Sequence, residues 1–183
     1  MAKSVEPHSF ELKNGRFVII READPSDAKE LLVFVNRVGG ESDYLAFGAG
    51  EFELTEAEEA DFLSKCNAAE THIYLVAVIA DEIVGTLHFS TARRDRFRHS
   101  GELGMSVSKQ HWGQGVGSRL LEVLLEWAKQ TNIVKKVNLR VRTDNQRAIQ
   151  LYKSKGFQAE GTLSNEMYVG GSYYDLYAMG LNL

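Results

Sequence analysis

The segment VSKQHWGQGVGS, residues 107–118, decides the fold of this chain. Its three glycines alternate at positions 113, 115 and 117, between a predicted strand at 101–108 and the clearest helical pattern, which runs from 117 to 130. Glycine permits positive φ and leaves room for a ligand beside the backbone. The N–H groups of residues 113–118 would then be free to bind an anion, which a helix N-terminus also attracts. The segment therefore predicts a cradle for a diphosphate.

Two other phosphate-binding motifs do not fit this segment. Gly117 is followed by Ser118-Arg119, so the lysine of a P-loop is missing. A dinucleotide-binding turn needs GxGxxG after an N-terminal strand, whereas the spacing here is GxGxG and lies late in the chain. A third interpretation is that the start of the helix contains glycines for no functional reason. Each glycine costs conformational entropy on folding, however, and this interpretation names no structural benefit that offsets the cost.

Strands and helices extend from this segment in both directions. Apolar patterning predicts seven strands, near residues 16–22, 72–80, 82–90, 101–108, 134–142, 157–168 and 173–181. Caps and helical spacing predict about four helices, starting near Asp24, Thr55, Gly117 and Asn145. A strand–helix–strand order around the cradle implies a parallel pair within a mixed sheet. We expect an α/β (α+β) protein with one domain over residues 1–183, in which residues 1–14 form a flexible or edge segment.

Composition limits the classes of function. The chain has 183 residues, of which 44% are apolar, and a net charge of −4, which argues against general nucleic-acid or anionic-membrane binding. Its one cysteine, Cys66, excludes an internal disulfide, and no run approaches the roughly 20 apolar residues of a membrane helix. Charges occur throughout the first twenty residues, so no signal peptide is visible. We expect a cytoplasmic protein that binds neither nucleic acid nor membrane, and no metal site.

Two blocks of sequence resemble the GNAT superfamily of acetyltransferases. Residues 112–117 are similar to its acetyl-CoA pyrophosphate loop, Arg/Gln-x-x-Gly-x-Gly/Ala, with Trp112 at the position of the usual Arg or Gln. Residues 143–157, TDNQRAIQLYKSKGF, resemble the family's Asn-x-x-Ala-x-x-Leu-Tyr-x-x-x-Gly-Phe signature. The resemblance covers roughly Ile73 to the C-terminus. It implies a GNAT-like, mostly antiparallel seven-stranded sheet with a splayed central parallel pair, and acetyl-CoA as co-substrate.

The resemblance also implies roles for individual residues. Tyr152 would protonate the leaving thiolate, although core packing is the plain alternative. Glu102 is the candidate base, and a solvent-facing carboxylate is equally compatible with its position. Other candidates for the base are Glu166, Tyr168 and Asp175, and an amine that arrives neutral needs no strong base. The residues expected to bind the coenzyme are Met105, Val107, Trp112, Gly113, Gln114, Gly115, Val116, Gly117, Ser118 and Asn145, the last of which can also cap a helix.

The implied reaction is direct transfer of an acetyl group to a primary amine in a ternary complex. The acceptor class stays open among a polyamine, an amino acid or analogue, an antibiotic and a protein N-terminus. Several carboxylates tilt the expectation towards a small cationic amine: Asp43, Glu51, Glu53, Glu56, Glu58 and Glu59. The alternative is a non-catalytic acyl-CoA-binding or regulatory module. A homodimer is possible through the aromatic C-terminal hairpin, which contains Tyr173, Tyr174 and Tyr177.

Overall fold

The computed structural model describes residues 4–183 as one mixed sheet flanked by helices. The strands are β1 (His8–Glu11), β2 (Phe17–Glu22), β3 (His72–Ile79), β4 (Glu82–Thr91), β5 (Ser100–Val107), β6 (Lys136–Arg142), β7 (Gln158–Val169) and β8 (Ser172–Asn182). The helices are α1 (Ala28–Gly39), α2 (Glu56–Ala68), α3 (Val116–Gln130) and α4 (Gln146–Ser154). The strand order is β1-β2-β3-β4-β5-β6-β8-β7, and within residues 4–183 only the β5–β6 pair is parallel.

The sheet has eight strands, so the predicted count of seven is wrong by one. The additional strand is β1, which pairs antiparallel with β2 at the edge of the sheet. The N–H of Leu12 donates to the carbonyl of Arg16 at 2.7 Å, so the pairing extends one residue beyond each strand. The loop proper is Lys13-Asn14-Gly15, in which Gly15 has a φ of 79°. A glycine in the left-handed region at the end of a three-residue loop is a recognised hairpin signal. The predicted flexible or edge segment therefore contains an edge strand, while its residues 1–3 lie outside the described part.

Two apolar cores occupy opposite faces of the sheet. One contains the stripe of α3 together with Ile149 and Tyr152 of α4, and it includes the buried Trp127. The other contains α1, Leu63 of α2 and the strand residues Tyr74 and Val76. Because successive strand residues point to opposite faces, alternate residues of each central strand pack in different cores. None of the helices described over residues 4–183 has the length and apolar character needed to span a membrane.

Local signals in the sequence explain where the elements begin. Thr55 and Glu58 form the predicted capping box at the start of α2. Asp24 caps the short 3₁₀ turn Pro25–Asp27 that leads into α1. Ala80 and Asp81 adopt φ of 49° and 64° between β3 and β4. Positive φ at both central residues is the mark of a tight two-residue hairpin.

Candidate active site

The parallel strands β5 and β6 separate shortly after they begin to pair. Their register runs only over Ser100–Glu102 against Lys136–Asn138. The side-chain amide of Asn138 lies at the point of separation, where it donates to the carbonyl of Gly101 at 3.0 Å and to Ser100 Oγ at 2.8 Å. Beyond this point β5 continues to Val107 without β6 beside it, which confirms the splayed central pair.

The direction of the β5 backbone shows which groups face this gap. The N–H of Ser108 donates to the carbonyl of Val84 at 2.9 Å. Hydrogen-bonding direction alternates along an antiparallel pair, so the main-chain groups of Met105 and Val107 point away from β4 and towards the gap. The carbonyl of Val107 is occupied, because the indole Nε1 of Trp112 donates to it at 2.7 Å. Met105 thus offers an N–H and a carbonyl to the gap, and Val107 offers only its N–H.

The glycine segment at the start of α3 exposes a run of main-chain amides. Gly113 and Gly115 have φ of 75° and 110°, and a Cβ at either position would meet open space. Gly115 is the N-cap of α3 and supplies no side-chain cap. Within residues 4–183 no acceptor takes the N–H groups of residues 113–118. Free amides at a helix N-terminus are a suitable site for an anion such as a diphosphate.

Gly117 has a different role from the other two glycines. A Cβ there would lie 3.3 Å from Leu151 Cδ2 and 3.4 Å from Met105 Cε. The absence of a side chain therefore lets the first turn of α3 pack closely against α4 and β5. Gly113 and Gly115 are needed for backbone conformation, whereas Gly117 is needed for packing.

Trp112 and His111 hold the segment in place. The Arg147 guanidinium lies 4.8 Å from the centroid of the Trp112 ring, a cation–π distance. His111 is buried, and its Nδ1 lies 2.8 Å from Ser108 Oγ. Burial lowers the pKa of His111, so the ring is a neutral structural group beneath the segment. Trp112 replaces the polar residue usual in the family pattern and ties the segment to the end of β5.

Tyr152 lies on α4 in the same core as α3. Only 7% of the residue is exposed, and its ring packs edge-on against Phe157 at 5.8 Å between centroids. The part of the chain that the structure describes gives its hydroxyl no hydrogen-bond partner. Burial raises the pKa of Tyr152 to about 12, so the hydroxyl stays protonated at neutral pH. Asn145, at the start of the same helix, accepts the N–H of Ala148 at 3.2 Å and is the N-cap of α4.

Two of the four candidate bases are brought together. Glu102, whose side chain is 53% exposed, lies 3.5 Å from Arg140 Nε, and Arg140 Nη1 lies 3.1 Å from Glu166 Oε1. Asp175 instead accepts the N–H of Asn165 at 2.9 Å within the last hairpin. Tyr168 pairs with Tyr173 on the exposed part of that hairpin.

Glu102 and Tyr152 lie on opposite sides of the sheet. Leu103 packs in the core of α3 and α4, so its neighbour Glu102 projects from the face of α1 and α2. Gly104 follows on the same face, and a Cβ there would meet no atom within 4 Å. Open space therefore lies beside Glu102 at the edge of the gap.

Arg142 is a buried cation that sequence reasoning did not identify. It is 6% exposed, and its guanidinium lies 4.7 Å from the Tyr44 ring centroid and 3.5 Å from that of Tyr174. It also binds Asp144 through two hydrogen bonds and donates to the carbonyl of Asp43 at 3.0 Å. Arg142 thus joins the α1–α2 connection to β8. The only sequence signal was an Arg and an Asp two residues apart at a strand end.

The fold is shared with known proteins. The profile of the acetyltransferase (GNAT) family matches residues 42–157, so the chain belongs to this family. A solved GNAT acetyltransferase from Streptococcus pneumoniae superimposes with a TM-score of 0.88 and 37% identity, over 91% of this chain and 99% of that one. The structure of yncA from Salmonella typhimurium with acetyl-CoA has a TM-score of 0.79 at 21% identity, over 90% and 93% of the two chains, and shows the fold.

Among curated proteins, the chain is similar to the L-amino acid N-acetyltransferase AaaT of Escherichia coli. The two are 34% identical over 105 residues, which is 57% of this chain and 65% of the relative. The chain thus spans less than two thirds of the length of the curated relatives it matches.

Proposed function

We propose that this protein is an N-acetyltransferase that moves an acetyl group from acetyl-CoA to a primary amine by direct transfer in a ternary complex. One observation carries the proposal: the amides of residues 113–118, which have no acceptor among the described residues, lie next to the gap between β5 and β6. The amides suit a diphosphate, and the free strand edge suits an extended amide-containing arm. Coenzyme A contains both groups in one molecule.

The β5 edge would hold the arm of the coenzyme. The N–H and carbonyl of Met105 and the N–H of Val107 would pair with its amides as a neighbouring strand does. A free N–H on this edge would also stabilise negative charge on the thioester oxygen. Gly117 allows Met105 and Leu151 to close against the start of α3, which lines the entrance to the gap.

When bound, acetyl-CoA supplies a thioester whose acetyl C–S bond breaks as the C–N bond to the amine forms. The amine loses one proton, for which the Glu102 carboxylate is the acceptor on the α1–α2 face of the sheet. The Tyr152 hydroxyl, which has no partner among the described residues, would donate a proton to the thiolate from the α3–α4 side. Exchange with solvent would then return a proton to Tyr152 and remove the one taken up by Glu102. The amine would therefore approach from the α1–α2 face of the sheet, and the thiol would leave towards the α3–α4 face.

Direct transfer is also favoured by the chemistry of the lone thiol. Cys66 is buried in α2, and burial raises the pKa of its thiol to about 11. A protonated, buried thiol is a poor nucleophile. An acetyl-cysteine intermediate at this residue is therefore not part of the proposed reaction.

The acceptor is proposed to be the amine of an amino acid or an analogue. The similar Escherichia coli protein is named for L-amino acids. The group Glu102, Arg140 and Glu166 places a guanidinium between two carboxylates, so an ammonium and a carboxylate on one acceptor would each find a partner. The acidic α1–α2 segment supports a cationic acceptor less than expected, because Glu58 caps α2 and Glu51 accepts the N–H of Gly48.

Calorimetry and mass spectrometry test the proposal together. We expect CoA to bind and neither ATP nor NAD to compete, because the segment has neither the lysine of a P-loop nor the GxGxxG spacing of a dinucleotide-binding turn. We expect incubation with acetyl-CoA and an amine panel of amino acids, polyamines, aminoglycosides and N-terminal peptides to give an acetylated amino acid. Binding of CoA with no product from any amine would favour the non-catalytic module. No binding of CoA would reject both. A cytoplasmic location and a homodimer stay predictions.

A further inference from the structure

The loop between β1 and β2 contacts the glycine segment although the two are a hundred residues apart. The Asn14 side chain forms a hydrogen bond to each of the two regions. Its Oδ1 accepts the N–H of Arg16 in the loop at 3.1 Å, and its Nδ2 donates to Gln114 Oε1 in the glycine segment at 2.6 Å. The first bond closes the loop on itself and holds the side chain in one orientation. The second bond therefore reaches Gln114 from a fixed donor.

Three hydrogen bonds from the described residues hold Gln114. Besides the bond from Asn14, its own Nε2 donates to the carbonyl of Gln110 at 2.8 Å, and its carbonyl accepts the N–H of Lys13 at 3.3 Å. Gln114 lies between Gly113 and Gly115, both of which have positive φ and no side chain to anchor them. Gln114 is thus the residue through which this part of the segment is fixed.

The bond from Lys13 also sets the direction of a main-chain amide. In a trans peptide the carbonyl and the N–H point in opposite directions. The carbonyl of Gln114 points to the β1–β2 loop, so the N–H of Gly115 in the same peptide unit points away from that loop. A second contact supports the arrangement, because the Arg119 guanidinium in the first turn of α3 lies 4.8 Å from the Phe10 ring centroid in β1.

We propose that Asn14 is a positioning residue for the coenzyme phosphates, and that the N-terminal hairpin acts as a fixed support for the glycine segment. The inference rests on the proposed function, because it assigns the free amides of residues 113–118 to coenzyme A. Asn14 acts through Gln114 and needs no contact with the ligand. Its loss should therefore weaken coenzyme binding and leave the KM for the amine unchanged.

A double-mutant cycle measured by calorimetry with CoA tests the coupling. We expect Asn14→Ala to raise the Kd for CoA about fivefold, as the loss of one net hydrogen bond allows. Because Asn14 acts through Gln114, the double variant Asn14→Ala/Gln114→Ala should bind CoA no more weakly than Gln114→Ala alone. The exposed β1 residue Glu11 supplies a control, and Glu11→Ala should bind CoA like the wild type.

Steady-state kinetics supply a second readout. For Asn14→Ala we expect a higher KM for acetyl-CoA, with the KM for the amine and kcat unchanged. Thermal melting shows that each variant is folded. Unchanged CoA affinity in Asn14→Ala, or effects that add in the double variant, would overturn the inference while the proposed function stands. If the wild-type protein does not bind CoA, both the inference and the proposed function are overturned.

Discussion

The indole Nε1 of Trp112 donates a hydrogen bond of 2.7 Å to the carbonyl of Val107, which ties the glycine segment to the end of β5. Trp112→Phe removes this bond and keeps a ring beneath Arg147. We expect a loss of about 1 kcal/mol in the free energy of unfolding, since one hydrogen bond is lost and the Val107 carbonyl loses its partner. We also expect weaker CoA binding. Urea unfolding and CoA titration measure the two effects, and a variant equal to the wild type in both would show that the bond contributes nothing.

A matched pair of glycine substitutions separates the coenzyme from the acceptor. Gly115→Ala forces a side chain onto a φ of 110°, which costs about 1–3 kcal/mol of strain, and should raise the Kd for CoA more than tenfold. Gly104→Ala adds the same methyl group in open space without that strain. It should raise the KM for the amine and leave CoA binding unchanged. Weaker CoA binding in Gly104→Ala, or a raised KM for the amine alone in Gly115→Ala, would contradict the assignment of Gly115 to the coenzyme site and Gly104 to the amine site.

Tyr152→Phe tests the proposed acid. Because the hydroxyl has no partner among residues 4–183, its removal should leave the melting temperature unchanged. We expect kcat to fall by a factor of about 10²–10⁴, the usual contribution of a general acid, with the Kd for CoA constant. Since burial raises the pKa of Tyr152 to about 12, the wild-type acid should stay active up to pH 10. An unchanged kcat would leave the enzyme assignment intact and remove this role.

Glu102→Gln and Glu166→Gln distinguish two carboxylates that share Arg140. Glu102 adjoins the gap on β5, whereas Glu166 belongs to β7. We expect kcat/KM for the amine to fall about 100-fold in Glu102→Gln, as loss of a general base predicts, and to change less than about threefold in Glu166→Gln. Initial-rate measurements at saturating acetyl-CoA provide the comparison. Equal losses in both variants would indicate that the carboxylates only balance the charge of Arg140.

His88 should make the fold sensitive to acid. Its Nε2 is buried without a partner among the described residues, beside Phe62 and Tyr74. Burial lowers the pKa of His88 from 6.5 to about 4, so folding favours the neutral ring. Stability is complete above pH 6.5 and should fall by about 3 kcal/mol as the pH drops from 6.5 to 4.

Urea unfolding at several pH values measures this effect. His88→Phe should reduce the acid-dependent loss, since it removes the group that must take up a proton. His99→Gln, a change in a histidine without such burial, should retain it. An acid-dependent loss that is the same in His88→Phe and in the wild type would show that other groups cause it.

The sequence alone was enough to predict the class of fold and to mark residues 113–117 as a segment of unusual backbone conformation. Local chemistry explains this success. Alternating apolar residues define the strands, Thr55 and Glu58 define a helix start, and the three glycines mark a backbone that takes conformations other residues avoid. Such signals depend on neighbours in the chain, so they can be read without knowing the fold. The one strand that was missed, β1, follows the same rules, because Gly15 ends its three-residue hairpin loop.

Contacts between distant segments could be decided only by the tertiary structure. Asn14 contacts Gln114 and Arg142 contacts Tyr44 although the partners are far apart in the chain, and no periodicity predicts such neighbours. The same holds for the base candidates, because the register of β5, β6 and β7 places Arg140 between Glu102 and Glu166. The sequence by itself determined which elements form and where the backbone needs glycine. Packing of the sheet decided which side chains share the gap, since that depends on strand register and on the face to which each residue points.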